Sequence, residues 1–267
     1  MIEPQATHAL RFDELWAYRE LFLFLMWRDI KVRYKQTALG AFWAVLQPLL
    51  LMVVFTIFLG QLSGVGPAGI PYPLFSLAGL VPWTFFANGI AGESNSLVGS
   101  SALVSKIYFP RLLLPLAAGC SFLLDFVVSF LVLVALMVVY TYPPAATAVL
   151  LPAYAAYVLM VAIGAGLWLA ALNVRYRDVR YAVPFLIQLW LFATPVAYQF
   201  SIVPPVYQRI FALNPMVGAI EGFRSSLLGI GGVPADILAI SLASGVILLV
   251  SGFLYFRRVE RSFADVI

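Results

Sequence analysis

The chain has 267 residues, of which 63% are hydrophobic and 10% charged, with a formal net charge of +4. A soluble domain carries about 25% charged residues, so the composition excludes a soluble enzyme and describes an integral membrane protein. Its one cysteine, Cys120, excludes an internal disulfide or a Cys-based metal site, and its one histidine, His8, excludes a histidine metal cluster.

Residues 11–35 mix Leu15, Trp16, Tyr18, Phe22, Leu25 and Met26 with Arg11, Glu14, Arg19, Glu20 and Arg28. That is too charged to span a bilayer and too apolar for open solvent. An amphipathic helix lying along the inner membrane surface fits, its Lys and Arg drawn to anionic headgroups; a helix packed beneath the membrane domain is the alternative. No small-residue cleavage site follows the first apolar run, so it does not read as a signal peptide. Residues 1–36 are therefore expected to form a cytoplasmic tail and interface helix.

The cationic doorstep Arg28, Lys31, Arg33 and Lys35 leads into residues 38–60, which carry no charge. A helix over them is roughly 35 Å long, enough to cross a hydrocarbon core of about 30 Å. Lys and Arg stay on the cytoplasmic side, so this span runs outward. Five more spans are expected at about 73–92, 112–141, 146–172, 181–200 and 237–256, inside a membrane domain of 37–257 with a cytoplasmic tail at 258–267. The Gly/Pro stretch 61–72 breaks the first pair, and Glu93 marks the inner end of the second span. In this layout every Lys and Arg except Arg209 and Arg224 lies inside. The expected fold is an all-α integral membrane protein with six transmembrane helices and both termini cytoplasmic.

Residues 201–234 are too apolar for an ordinary external loop. Asn214-Pro215 is a helix start, Asn as cap and Pro at the first helical position. Met216, Ile220, Phe223 and Leu227 then recur at helical spacing. Two short helices, about 205–213 and 215–228, are expected to dip back into the outer leaflet as a gate, with Glu221 and Arg224 paired three residues apart. A surface hairpin is the plainer alternative.

Asp125 is the acid well inside a span, one turn from Ser121 and Ser129. Three roles stay open for it: a helix–helix hydrogen bond, a contact to an arginine at the inner end of the bundle, or a proton site. On the fifth span Tyr181, Phe185, Gln188, Phe192, Pro195 and Gln199 recur in steps of four and three, on one helical face. Trp43 and Gln47 lie one turn apart on the first span, and Trp83 and Trp190 fall mid-span, away from the interfacial belt. Amides facing lipid are costly, so this aromatic and amide set suits either a wetted lumen or core packing.

Four segments in order, RDIKVRYKQTALGAFWAVLQP (28–48), KIYFPRLLLPL (106–116), LNVRYRDVRYAVPFLIQLWLFATPVAY (172–198) and LNPMVGAIEGFR (213–224), resemble the permease subunit of polysaccharide-exporting ABC transporters. That family moves O-antigen, capsule and teichoic acid chains. The resemblance implies a homodimer, two copies of a separate cytoplasmic ABC ATPase, and a bacterial inner-membrane location. It also implies a lipid-linked polysaccharide as cargo, most closely of the O-antigen type; capsule, teichoic acid, or a small lipid or drug are the alternatives. The chain has no GxxxxGK[ST] loop, and its lysines are Lys31, Lys35 and Lys106. No enzyme activity and no cofactor are expected on it, ATP and Mg belonging to the partner; no nucleic acid is implied.

The family further implies that the ATPase docks on the cytosolic segment 94–105, with Leu97, Val98, Leu103 and Val104 as contacts. It places the first and fifth spans, hence Trp43, Gln47, Tyr181, Phe185, Gln188, Phe192 and Gln199, along the conduit. Arg175, Arg177 and Arg180 border its inner mouth, suited to a lipid pyrophosphate or simply to setting topology.

Overall fold

The structure is a computed structural model that describes residues 16–35, 42–62, 66–107, 109–230, 232–260 and 263. The expected tail with His8 and Arg11, the start of the first span and most of the C-terminal tail lie outside the described residues.

Regular structure among the described residues is helical. Helix α1 (Arg19–Lys35) precedes α2 (Phe42–Phe55), which runs on as a π-helix over Thr56–Leu62. Then come α3 (Tyr72–Gly99), α4 (Ser101–Lys106), α5 (Leu113–Cys120) and α6 (Leu123–Val139). Helix α7 (Leu151–Arg175) is followed by α8 (Val179–Phe192), α9 (Pro205–Ala212), α10 (Pro215–Leu228) and α11 (Ala235–Val259).

Five helical stretches are long and apolar enough to cross a membrane: Phe42–Leu62, Tyr72–Gly99, Leu113–Val139, Ala146–Arg175 and Ala235–Val259. The expected fifth span is different. Its helix, α8, has 14 residues, roughly 21 Å at the usual rise, short of a hydrocarbon core. Pro195 explains the stop, because it has no N–H to continue the ladder. The residues after Phe192 run through turns to a short 3-10 segment at Phe200–Ile202.

The third span lies close to its expected bounds, as the stretch Leu113–Val139, with an irregular turn between α5 and α6, where the Ser121 hydroxyl donates to the Ala118 carbonyl at 2.7 Å. Such back-bonding competes with the helix ladder. The second span does not end at Glu93: α3 continues to Gly99, and Glu93 is fully buried.

The core is built around α3 and α7, which lie along each other, with α11 against α7. Between apolar helices in lipid, close approach replaces the hydrophobic drive. Here a Cβ on Gly252 would stand 2.3 Å from the Gly164 carbonyl oxygen, so α7 and α11 touch backbone to backbone. The central cluster joins Leu80, Phe86, Val158, Ala162, Ile220 and Phe223. A second cluster gathers Leu25 of α1, Leu97 of α3, Val104 of α4, Leu113 of α5, Ala171 of α7 and Phe256 of α11. A third, with Phe200, Val217 and Ile237, closes the opposite end.

Helix α1 packs against the bundle on one face. Leu25 is buried on the bundle, flanked by the half-buried Leu21, Phe22 and Met26. Trp16, Phe24 and Trp27 stay exposed on the other side, with Lys31 over the Trp27 ring.

Candidate functional site

Several polar side chains converge on the break after α8. Four carbonyls lose their helical partners there, and inside a membrane each must be satisfied by the protein. Asn214 Nδ2 donates to the Ala193 carbonyl at 3.1 Å. Arg224 Nη1 donates to the Pro195 carbonyl at 3.0 Å, and its Nη2 to the Val196 carbonyl at 2.6 Å. The Tyr72 hydroxyl donates to the Ala197 carbonyl at 2.6 Å. Three side chains thus serve these four oxygens, Arg224 taking two of them.

The donors are held in turn. Asn214 Oδ1 accepts the Met216 amide at 3.0 Å, capping α10, and also the Trp190 indole N–H at 2.9 Å. Arg224 is 1% exposed, donates to Glu221 Oε1 at 2.7 Å, and lies 3.8 Å above the centre of the Phe75 ring. Hydrogen bonds to a charged group contribute roughly 1.5–3 kcal/mol each, so this arginine staples the broken span to α10 and α3.

The helices expected at 205–213 and 215–228 are α9 and α10, and the Glu221–Arg224 pair forms. Met216, Ile220, Phe223 and Arg224 are buried within the chain and Glu221 nearly so. They anchor α10 in the bundle rather than lying along a free surface.

The aromatic set divides in two. Trp43, Gln47, Tyr181, Phe185, Gln188 and Phe192 are exposed on α2 and α8. Trp83 is a correction: it is 3% exposed, packed on Phe86 in the core, because α3 is surrounded by its own chain. Trp190 is another, since its ring stands edge-on to Phe86 and its N–H is taken by Asn214. Pro195 and Gln199 leave the stripe because the helix ends before them; Pro195 is buried and Gln199 half-buried.

At the end of the bundle that carries Arg175, Arg177 and Arg180, all three arginines are exposed. Arg175 lies over the Tyr176 ring and Arg180 over that of Tyr181. Nearby, Arg111 donates to the Glu260 carbonyl at 2.6 Å, and the Glu260 carboxyl accepts the Arg111 amide at 3.2 Å. Burial pushes the Glu260 carboxyl up, while Arg257 and Arg111 oppose the shift. This ties the foot of α11 to the start of α5.

Asp125 combines the first two of its three readings, a helix–helix hydrogen bond and a contact to an arginine. Arg33 of α1 donates to its Oδ2 at 2.7 Å and to Ser121 Oγ at 2.7 Å, and the Tyr34 hydroxyl donates to its Oδ1. Burial pulls the Arg33 guanidinium down and the facing Asp125 pushes it back up. Arg33 also stacks 3.6 Å over Phe122, so the interface helix is locked to the bend between α5 and α6. Ser129 donates to the Ala44 carbonyl at 2.9 Å, holding α2 against α6.

The segment expected to meet the ATPase is mostly helical. Leu97 and Val104 face inward and are buried, a correction to their expected role, while Val98 is exposed and Leu103 half-buried. Residues that the sequence reading missed are Tyr72, Asn214 as a link to the break, Arg33 as the partner of Asp125, and Glu93.

Residues 20–228 match the ABC-2 type transporter family. The chain is 32% identical over 255 residues to the O-antigen export system permease protein RfbA of Myxococcus xanthus, covering 94% of this chain and 97% of that one. Two proteins of the same name from Klebsiella pneumoniae are 28% and 27% identical over 250 residues, each covering 93% of this chain and 95% of theirs.

Proposed function

Because this chain belongs to the ABC-2 type transporter family, we propose that it forms the conduit of an ATP-driven exporter of lipid-linked polysaccharide. The cargo class follows the O-antigen export permeases to which the chain is similar along almost all of its length. The protein works as a homodimer in the bacterial cytoplasmic membrane, with both termini inside and six crossings per subunit, the fifth made by the short α8 together with the turns and 3-10 segment that follow it. Two copies of a separate ABC ATPase hold ATP and Mg and drive it. No bond in the cargo is broken on this chain; it lowers the barrier to moving hydroxyl-rich sugar through lipid.

The observation that carries this reading is the uncovered face of α2 and α8. Trp43, Gln47, Tyr181, Phe185, Gln188 and Phe192 lie outside their own bundle, and amides facing lipid are costly. A second copy across these faces encloses them. Aromatic faces and amides then meet the flat C–H faces and hydroxyls of sugar rings. Helices α9 and α10 dip into the outer leaflet, α10 anchored in the bundle and held at the break by Arg224 and Asn214, and the largely exposed α9 closes the conduit. Arg175, Arg177 and Arg180 receive the lipid pyrophosphate at the inner mouth, since guanidinium suits phosphate geometry. Helix α4 and the exposed Val98 meet the ATPase.

Deleting the gene and analysing the glycan tests the cargo: finished, lipid-attached chains are expected to accumulate in the cytoplasm, and normal surface glycan would refute the proposal. Val98→Asp tests the coupling. Export is expected to fall by roughly tenfold, as a charge is forced into an apolar contact, while basal ATP hydrolysis persists in the co-purified complex. Unchanged export would remove this segment from the ATPase contact.

A further inference from the structure

Glu93, among the described residues, combines complete burial with a carboxyl of which neither oxygen has a hydrogen-bond partner. Its walls show how it fits. A Cβ on Gly119 of α5 would stand 1.8 Å from Glu93 Oε1, and one on Gly166 of α7 would stand 1.5 Å from Oε2. Each neighbouring helix leaves a notch the size of one methyl group, and one carboxyl oxygen fills each notch. The neighbouring Gly92 fits as closely: a Cβ there would stand 2.6 Å from the Phe122 ring.

Packing alone does not call for an acid in this slot. Methionine has similar length and volume and strands no polar atom. The acid differs from it in hydration: seated, it loses its water without gaining a partner, and on withdrawal it recovers that loss. A glutamate therefore makes the seated state one that can be left. The position matters as well. Helix α3 continues from Glu93 to Gly99, and Ser100 alone separates it from α4. Roughly 12 Å of helix joins the carboxyl to the start of α4, so a push on α4 reaches it with little slack.

We propose that Glu93 is a positioning residue for transport. Seated between Gly119 and Gly166, it holds α3 in register with α5 and α7, and it withdraws when ATPase closure moves α4. This rests on α4 being the ATPase contact. The partly hydrated carboxyl then stabilises the displaced state of α3, and the two glycines receive it again when the cycle resets.

The test uses the full chain co-purified with its ATPase, reading vanadate-sensitive ATP turnover and thermal midpoint, with glycan export read in cells. Glu93→Met seats without a stranded polar group. It is expected to raise the midpoint by about 2–4 °C while export and coupled turnover fall roughly tenfold. Glu93→Gln keeps both shape and hydration and is expected to stay within about threefold of wild type. A merely structural residue gives the opposite order, with Met as good as Glu. Wild-type turnover in the Met variant, or a Gln variant as impaired as Met, overturns the proposal. Gly166→Ala works from the other wall by filling the notch, and unstimulated hydrolysis is expected to rise severalfold; an unchanged basal rate also overturns it. A wild-type complex that hydrolyses ATP without moving glycan sinks the transport reading instead.

Discussion

Helices α3 and α8 are both apolar, yet the chain treats them in opposite ways. Over its most apolar stretch α3 is 83% buried, with Leu74, Leu77, Leu80, Phe86 and Ile90 all enclosed by α7, α10 and their neighbours. Helix α8 buries only Val183, and Tyr181, Phe185, Leu189 and Phe192 look outward. Helix α2 resembles α8, with 6% of its apolar stretch buried. The difference separates a scaffold that is complete within one chain from a surface that needs something else against it. It also explains why the polar staples gather at the C-terminal end of α8: a short helix with little packing of its own must be held by directed bonds.

The largest effect is expected where those bonds are broken. Arg224→Leu removes the donors to the Pro195 and Val196 carbonyls and leaves Glu221 buried without its counter-charge. Truncating one partner of a buried charged pair costs about 3–5 kcal/mol, on top of the stranded carbonyls. The variant is expected to lose most of its folded population in membranes, read as thermal midpoint and protease resistance in detergent. A variant within about 1 kcal/mol of wild type would show that the break holds itself together and that the contrast with α3 lies elsewhere.

The exposed stripe tests the other half of the contrast. Gln188 and Phe192 touch little of their own chain, so Gln188→Leu and Phe192→Ala are expected to leave the monomer's stability within about 0.5 kcal/mol. Export is expected to fall about threefold to tenfold, the scale of one lost polar or ring contact. Normal export from both variants, with normal insertion and dimerisation, would take this face out of the conduit. A loss of dimer instead of export would turn the same face into an interface.

What the sequence disclosed follows the range of the physics involved. Asn214-Pro215 is a local cap, set by residues two apart, and α10 begins where that signal places it. Glu221 and Arg224 pair across one turn for the same reason. Asp125 is conspicuous as an acid in an apolar run, but its partner Arg33 is 92 residues away and no local pattern names it. Glu93 misleads for a related reason. A charge at the end of an apolar stretch reads as a membrane boundary, and only the notches at Gly119 and Gly166, contributed by two other helices, convert it into a buried residue. The fifth span misleads because hydropathy continues through Val196, Ala197 and Phe200 while the helix stops at Phe192, ahead of Pro195. Hydropathy registers the environment of a segment, whereas the helix end depends on local backbone chemistry and on the side chains that take over the freed carbonyls.

The smallest effect is expected on the exposed surface where Arg209 of α9 faces Asp236 of α11 at 3.5 Å. Their side chains are 77% and 54% exposed, so water screens the pair and a long side chain must be ordered to make it. Exposed pairs of this kind contribute about 0.2–1 kcal/mol. Arg209→Ala is therefore expected to shift the thermal midpoint by no more than about 2 °C, with the difference shrinking further as salt is raised. Arg209 of α9 and Arg224 of α10 lie on adjacent helices, and the same side chain has opposite weight at the two sites. At Arg224 the guanidinium replaces a helix ladder; at Arg209 it replaces only water. A midpoint loss for Arg209→Ala comparable with that for Arg224→Leu would mean that α9, not the break after α8, is what secures the hairpin to the bundle.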